Sequence, residues 1–283
     1  MDNADFIKPS QSPIYDPAAA TAFFEAAGAA ADVASGTEFF VERQARGFFS
    51  RDDRMYLLLE GAVAISIGRR SIDTVKAGEI FGEMATITDS PRSATATAKS
   101  ACRVIALDGG QFQNAIEKNP GFALMLMSIM IDRLRLTLAR LTMMKARPDA
   151  VASDERRVFD DETLDAIAHE LGDPPVSIFA KGKTIISAGE AGTLMYLLRE
   201  GSVAISAGDR LLERVGVGGV FGEMALVDRA KRVATAVAET ECACLTVNRQ
   251  QFLEMVQTKP AFGLSLLRVL GQRLRDATSQ TAK

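Results

Sequence analysis

The chain has 283 residues, of which 47% are hydrophobic and 24% are charged, and these are the proportions of a globular protein long enough for two domains. Its formal net charge of −3 gives no electrostatic reason to expect nucleic acid as a partner. No apolar run reaches the roughly 18 residues that span a bilayer, and the polar N-terminus lacks a secretory pattern, so we expect a cytoplasmic protein with no membrane partner.

The first half of the chain is built from short alternating segments. MYLLLEGAVAISIG (55–68) and CRVIALD (102–108) have the pattern of half-buried strands, and glycines at positions 61, 68, 78 and 82 mark turns between strands. Many short strands at this spacing predict a small antiparallel jelly roll. A helix is predicted to close this half after Pro120, because proline suits the first helical turn.

The closing helix, predicted over residues 121–144, carries an apolar stripe. Its members are three or four residues apart, a spacing that is typical of a contact between helices. They are Leu124, Met127, Ile131, Leu134, Leu138 and Leu141. The predicted partner is a second chain in a homodimer or the second copy's helix in an intramolecular pseudo-dimer, and the alternative is packing on the helix's own barrel.

A polar, charged segment, KARPDAVASDERR (145–157), separates the two halves and reads as a linker. The next segment, DDETLDAIAHELG (160–172), has the spacing of an amphipathic helix with Asp160 or Asp161 as its N-cap. It faintly resembles the core of a DNA-binding helix-turn-helix. Two prolines and a strand-like segment follow it and leave no room for a recognition helix, so it is interpreted as the leading helix of a second domain.

From Tyr56 onward, the second half repeats the first at a constant distance of 140 residues. YLLLEGAVAISIG matches YLLREGSVAISAG, GEIFGEMA matches GGVFGEMA, and the RLR tripeptide at 133–135 matches RLR at 273–275. The chain is therefore predicted to be a tandem duplication of one domain. The predicted organisation is a tail over 1–20, a first domain over 21–145, a linker over 146–158 and a second domain over 159–283.

The segment IFGEMATITDSPRSATA (80–96) has the chemistry of a nucleotide site. Gly82 allows close approach of a ligand to the backbone, and the helix formers after it can begin a turn whose N–H groups bind an anion. The planar guanidinium of Arg92 suits phosphate oxygens, and Glu83 can accept from a sugar hydroxyl. A surface ion pair between Glu83 and Arg92 is the alternative, but the same arrangement occurs twice, which favours a site.

These residues are similar to the phosphate-binding cassette of the cyclic nucleotide-binding domain family, whose pattern is F-G-E-(aliphatic)-A followed by P-R-(small)-A. The first copy matches through FGEMA and through PRSA at 91–94. The resemblance covers both copies. It implies an α+β, mainly β fold, with two tandem β jelly rolls (double-stranded β-helices) as cyclic nucleotide-binding domains, each flanked by α-helices.

The resemblance also implies a role for each residue of the first site. Glu83 would accept from the ribose 2′-hydroxyl, Arg92 and the backbone of 82–85 would hold the cyclic phosphate, and Ser93 would add a hydroxyl contact. Thr137 lies where a bacterial relative has a threonine that contacts adenine. The first predicted site comprises Gly82, Glu83, Met84, Ala85, Arg92, Ser93 and Thr137.

The second site departs from the family pattern at two positions, where Lys231 replaces the proline and Val233 replaces the small hydroxyl residue. Ala277 occupies the threonine position, and Thr278 matches a serine that reaches the base bound by a partner subunit. The second predicted site comprises Gly222, Glu223, Met224, Ala225, Arg232, Val233 and Thr278. A folded domain with an empty pocket is the alternative for each site.

The sequence offers no catalytic or metal centre. Neither copy has a nucleophile–base pair, and His169 is the one histidine of the chain. The spacing of Cys102, Cys242 and Cys244 fits neither a zinc nor an iron–sulfur site, so we expect buried structural thiols. We therefore predict no enzyme activity, no cofactor and no metal.

The predicted function is a sensor that binds cyclic AMP, with cyclic GMP as the second choice, and that signals through rearrangement of its C-terminal helices to an unknown downstream protein. Direct contact with nucleic acid is not expected. The alternatives are a Crp/Fnr-like transcription regulator acting with a DNA-binding partner, a cyclic dinucleotide receptor and a ligand-free scaffold.

Overall fold

The computed structural model describes residues 14–43, 53–143 and 157–281. Its contacts divide the chain into two units, one with Met1–Arg133 and Val256–Gln272 and the other with Leu134–Met255 and Arg273–Lys283. These boundaries differ from the predicted domains because both closing helices are divided between the units. Of the predicted linker 146–158, all but the last two positions lie outside the described residues.

The first unit contains two four-stranded antiparallel sheets, with strand orders β1-β8-β3-β6 and β2-β7-β4-β5. Its elements in chain order are α1 Pro17–Ala27, β1 Ala30–Val33, β2 Glu38–Phe40, β3 Met55–Glu60, β4 Ala62–Ile67, β5 Arg70–Lys76, β6 Ile80–Phe81, α2 Glu83–Thr88, β7 Thr95–Ala98, β8 Cys102–Leu107, α3 Gly109–Lys118 and α4 Phe122–Met143. Helix α1 begins inside the predicted tail, because Asp16 caps it by accepting from Ala18 N at 2.9 Å.

The core of the first unit lies between its two sheets. Leu58 and Val104 come from one sheet, and Val63, Ile65 and Ala96 from the other. Side chains alternate between the two faces of a strand, so the alternating sequence of β4 buries one face and leaves the other partly exposed.

The second unit repeats this architecture, with strand orders β14-β11-β16-β9 and β10-β15-β12-β13. Its elements, with the two helices that continue the chain, are α5 Asp161–Glu170, β9 Ser177–Phe179, β10 Thr184–Ile186, β11 Leu194–Glu200, β12 Val203–Ala207, β13 Arg210–Val215, β14 Val220–Phe221, α6 Met224–Asp228, β15 Thr235–Ala238, β16 Cys242–Asn248, α7 Arg249–Thr258 and α8 Pro260–Thr281. The predicted pair of jelly rolls with flanking helices is thereby confirmed.

Helix α5 confirms the interpretation of the segment after the linker. The side chain of Asp160 caps the helix by accepting from Thr163 N at 2.8 Å, which is the arrangement that an N-terminal aspartate favours. The chain then enters strand β9 rather than a second helix. This segment is therefore the leading helix of the second unit and not the start of a helix-turn-helix.

The apolar stripe of α4 describes only part of that helix. Leu134, Leu138 and Leu141 are buried, but Ile129 and Met130, which lie off the stripe, are at most 2% exposed. Most of the first half of α4 is therefore buried, although Leu124 is partly exposed, and this fits an almost uniformly apolar helix. The expectation that α4 pairs in a homodimer or pseudo-dimer stays a prediction.

All three cysteines are buried and free of disulfides, as the sequence predicts. Burial, together with the neighbouring Cys242, raises the pKa of Cys244 to about 12, so this thiol stays protonated at neutral pH. None of the helices in the described part of the chain combines the length and apolar character needed to cross a bilayer.

Candidate ligand-binding sites

In both units a short strand leads through a glycine into a short helix. Gly82 joins β6 to α2 with φ of 77°, and Gly222 follows β14 with φ of 84°, a left-handed conformation that glycine adopts without strain. A Cβ atom at Gly82 would lie 2.9 Å from the Phe40 ring, and one at Gly222 would lie 2.9 Å from Arg232 Nη1. Glycine is thus required for both backbone conformation and close packing.

The cassette arginines are held in the same way in both units. Arg92 donates from Nη1 to Gly82 O and from Nη2 to Arg54 O, both at 2.8 Å. Arg232 donates to Gly222 O and to Leu194 O, both at 2.5 Å. Each guanidinium therefore ties the cassette glycine to the start of β3 in the first unit or of β11 in the second. The sequence pattern had specified only the spacing of these residues.

Arg232 has no carboxylate within ion-pair distance among the residues that the structure describes, and its two hydrogen bonds go to neutral carbonyls. Burial lowers the pKa of Arg232, and nearby Arg135 acts in the same direction, against the opposing effects of Tyr196 and Glu223. A partly buried cation whose partners are neutral is an electrostatic site for an anion.

The cassette glutamates are paired with arginines that follow them by 50 residues in both units. Arg133 Nη1 lies 2.5 Å from Glu83 Oε1, and both side chains are buried. Arg273 Nη1 lies 2.9 Å from Glu223 Oε1. The sequence analysis did not identify either arginine as the partner of its glutamate, although the matching RLR tripeptides begin with these two arginines.

Arg273 also holds a second carboxylate. Its Nε lies 2.7 Å from Glu213 Oε2, and its Nη2 donates to Val220 O at 2.6 Å. Burial alone would lower the pKa of Arg273, but the charges of Glu213 and Glu223 outweigh burial and raise it. The guanidinium therefore stays charged and fixes the orientation of Glu223 at the cassette.

A cavity in the second unit has a volume of about 100 Å³. Six of the seven residues predicted for the second site line it, namely Gly222, Glu223, Met224, Ala225, Arg232 and Val233. The structure thus brings these residues to one concave surface. Thr278 is exposed, and its hydroxyl donates to Leu274 O at 2.7 Å, whereas Ala277 lines the cavity.

The first cassette brings Glu83 and Arg92 together at the start of α2, with Met84 and Ala85 in the same helix. Ser93 follows Arg92 and is exposed. Thr137 lies in the part of α4 that belongs to the second unit. The roles of Ser93 and Thr137 in ligand binding stay predictions.

Two further residues shape the second site without having been predicted. Gly192 packs so closely that a Cβ atom there would lie 2.3 Å from Arg232 Nε, so only glycine leaves room for the guanidinium in this position. Arg135 on α4 also lines the cavity. It binds Asp228 at the end of α6 through Nε at 2.5 Å and Nη2 at 3.0 Å.

The ion pair between Arg135 and Asp228 is expected to contribute to the stability of the second unit. Both side chains are mostly buried, with exposed fractions of 19% and 11%, and the contact is bidentate, so we expect a coupling energy of about 1–3 kcal/mol. A double-mutant cycle with Arg135→Ala and Asp228→Ala, measured by urea unfolding, tests this. The exposed pair Arg214 and Glu239 is the control, expected to couple by less than about 1 kcal/mol, and equal coupling in both cycles would contradict the prediction.

Two jelly rolls, each with a cassette acid and a cassette arginine around a short helix, define a protein with two candidate ligand sites. The family model of the cyclic nucleotide-binding domain matches residues 49–119 and 176–259, which together exceed half of the chain. The chain therefore belongs to the cyclic nucleotide-binding domain family.

Three curated relatives illustrate what the chain is similar to. A cyclic AMP receptor protein from Thermus thermophilus is 32% identical over 105 residues, which cover 35% of this chain and 49% of that protein. A cAMP-dependent protein kinase regulatory subunit from Eremothecium gossypii is 25% identical over 207 residues, covering 72% of this chain and 40% of that protein. Human cGMP-dependent protein kinase 2 is 24% identical over 213 residues, covering 73% and 25%. The chain thus spans half or less of the length of these relatives.

Proposed function

We propose that the chain binds cyclic AMP, in preference to cyclic GMP, and acts as a regulatory protein without catalytic activity of its own. The observation that carries this proposal is Arg232, a cation with only neutral partners among the described residues, which lines a cavity together with Glu223. A cyclic phosphate supplies the anion that this guanidinium lacks. The family membership and the names of the relatives, two of which specify cyclic AMP, support the choice of ligand.

Glu223 suits the sugar of such a ligand. A carboxylate has about four lone-pair sites, and Oε1 of Glu223 accepts one hydrogen bond from Arg273, so Glu223 keeps acceptor capacity for a hydroxyl group. The rigid pairing with Arg273 fixes the carboxylate before the ligand arrives, which lowers the entropic cost of binding. The same reasoning extends to Glu83 and Arg133 at the first cassette, where we propose a second ligand molecule.

The helices that line the second cavity are the proposed route of signalling. Leu134 and Leu138 of α4 and Ala277 of α8 contribute to its wall, so a bound ligand would favour helix positions that fit it. A ligand shifts such an equilibrium only by its difference in affinity for the two states. We propose that another protein, acting as the downstream partner, recognises the shifted helices, and that the chain works in the cytoplasm, where its three buried thiols stay reduced.

Calorimetric titration of the full chain with cyclic AMP, cyclic GMP and a cyclic dinucleotide tests the proposal. Cyclic AMP should bind most tightly, and at 100 times its dissociation constant it should stabilise the fold by about 2.7 kcal/mol. Tighter binding of cyclic GMP or of the dinucleotide would change the ligand assignment. If none of the three compounds gives a heat of binding or changes the melting temperature, the result would support the ligand-free scaffold instead.

A further inference from the structure

Gln280, near the end of α8, lines the second cavity, and its side-chain amide oxygen is buried. This oxygen is inaccessible to solvent and has no hydrogen-bond partner within the part of the chain that the structure describes. Buried acceptors in native proteins are almost always satisfied, so an unsatisfied acceptor on a residue that lines a cavity points to a donor on a ligand.

The surroundings of Gln280 suit a flat, largely apolar group with a polar edge. Asp276 lies one helical turn earlier on α8 and also lines the cavity, and Leu134, Leu138 and Ala277 contribute apolar surface. The cassette provides a cation and an acid, whereas α8 provides a carboxamide. A nucleotide has matching parts, because its phosphate is anionic and its base has a flat apolar face with donors and acceptors at the edge.

We propose that Gln280 recognises the adenine base in the second site, accepting a hydrogen bond from the 6-amino group and donating from its own amide nitrogen to N7. A carboxamide pairs with adenine in this bidentate way, whereas guanine presents two acceptors, O6 and N7, at the same edge. This inference rests on the proposed function and deepens it, because it makes Gln280 the residue that determines base preference at this site.

The two copies differ at this position. The residue 140 positions before Gln280 is Arg140, whose guanidinium has donors only, so the repeat does not supply a second carboxamide. The family pattern had indicated Thr278 at this helix, but the Thr278 hydroxyl donates to the backbone of its own helix. Base recognition by Gln280 is therefore specific to the second half of this chain.

The test compares two ligands on the full chain carrying Arg92→Ala, which removes the first site. Inosine 3′,5′-cyclic monophosphate carries an oxygen where cyclic AMP has the 6-amino group, so it should bind about tenfold to a hundredfold more weakly. Gln280→Leu should lower the affinity for cyclic AMP by a similar factor and leave the inosine ligand nearly unchanged. Gln280→Glu keeps an acceptor and should lose less than Gln280→Leu. Ser279→Leu, at an exposed neighbour, is the matched control and should leave the preference for adenine intact.

The outcomes separate the inference from the proposed function. If Gln280→Leu binds both ligands with the wild-type ratio of affinities, Gln280 does not read the base, although the site still binds cyclic nucleotides. If the chain with Gln280 intact binds neither ligand at the second site, the proposed function fails there and the inference fails with it. Should Arg92→Ala not fold, Arg92→Gln, which is neutral but can still donate to Gly82 O, serves in its place.

Discussion

Arg232→Ala is expected to lower the affinity of the second site for cyclic AMP by about 2–5 kcal/mol. The guanidinium lines the cavity and donates to two backbone carbonyls, so it is held in place before an anion arrives and little is lost in ordering it. Calorimetric titration of the full chain, with the number of sites as a second readout, measures the effect.

Arg92→Ala is the matched variant for the first cassette, where the guanidinium donates to the equivalent pair of carbonyls. It should weaken binding at the first site by about 2–5 kcal/mol and leave the affinity of the second site unchanged. Arg214→Ala, which changes an exposed arginine of an outer strand, serves as the control. Wild-type affinity at both sites in the Arg92→Ala, Arg232→Ala double variant would refute the assignment of the cassettes.

Arg273→Leu is expected to destabilise the protein by about 3–5 kcal/mol, since it removes a cation that holds two buried carboxylates, Glu213 and Glu223. An uncompensated charge that stays buried costs more than the lost ion pair itself. Urea unfolding measures the effect as a lower midpoint with an unchanged slope.

Arg199→Leu is the control for this stability measurement. It breaks a more exposed ion pair with Asp165 and should cost at most about 1 kcal/mol. Adding Glu213→Gln to Arg273→Leu removes one of the stranded charges and should recover part of the stability. If the double variant were less stable than Arg273→Leu, buried charge would not be the cause of the loss.

The fold was predictable because its signals are local. Strand alternation, turn glycines and the proline that begins α8 each act within a few residues, and the repeat showed these features twice. The cassette was predictable for the same reason, since Gly222, Glu223 and Arg232 lie within one short segment that the structure folds around a single helix. The extent of burial around α4 was not predictable from its stripe, because burial depends on how many elements pack around a helix.

The sequence by itself determined that one domain occurs twice and that each copy carries a glycine, an acid and an arginine at fixed spacing. Only the tertiary structure decided which distant side chains complete the second site. Arg273 reaches Glu223 across 50 residues, and Arg135 and Gln280 join the cavity wall from two different helices. Periodicity and spacing report neighbours along the chain, whereas contacts between remote residues follow from the packing of whole elements, which no local pattern encodes.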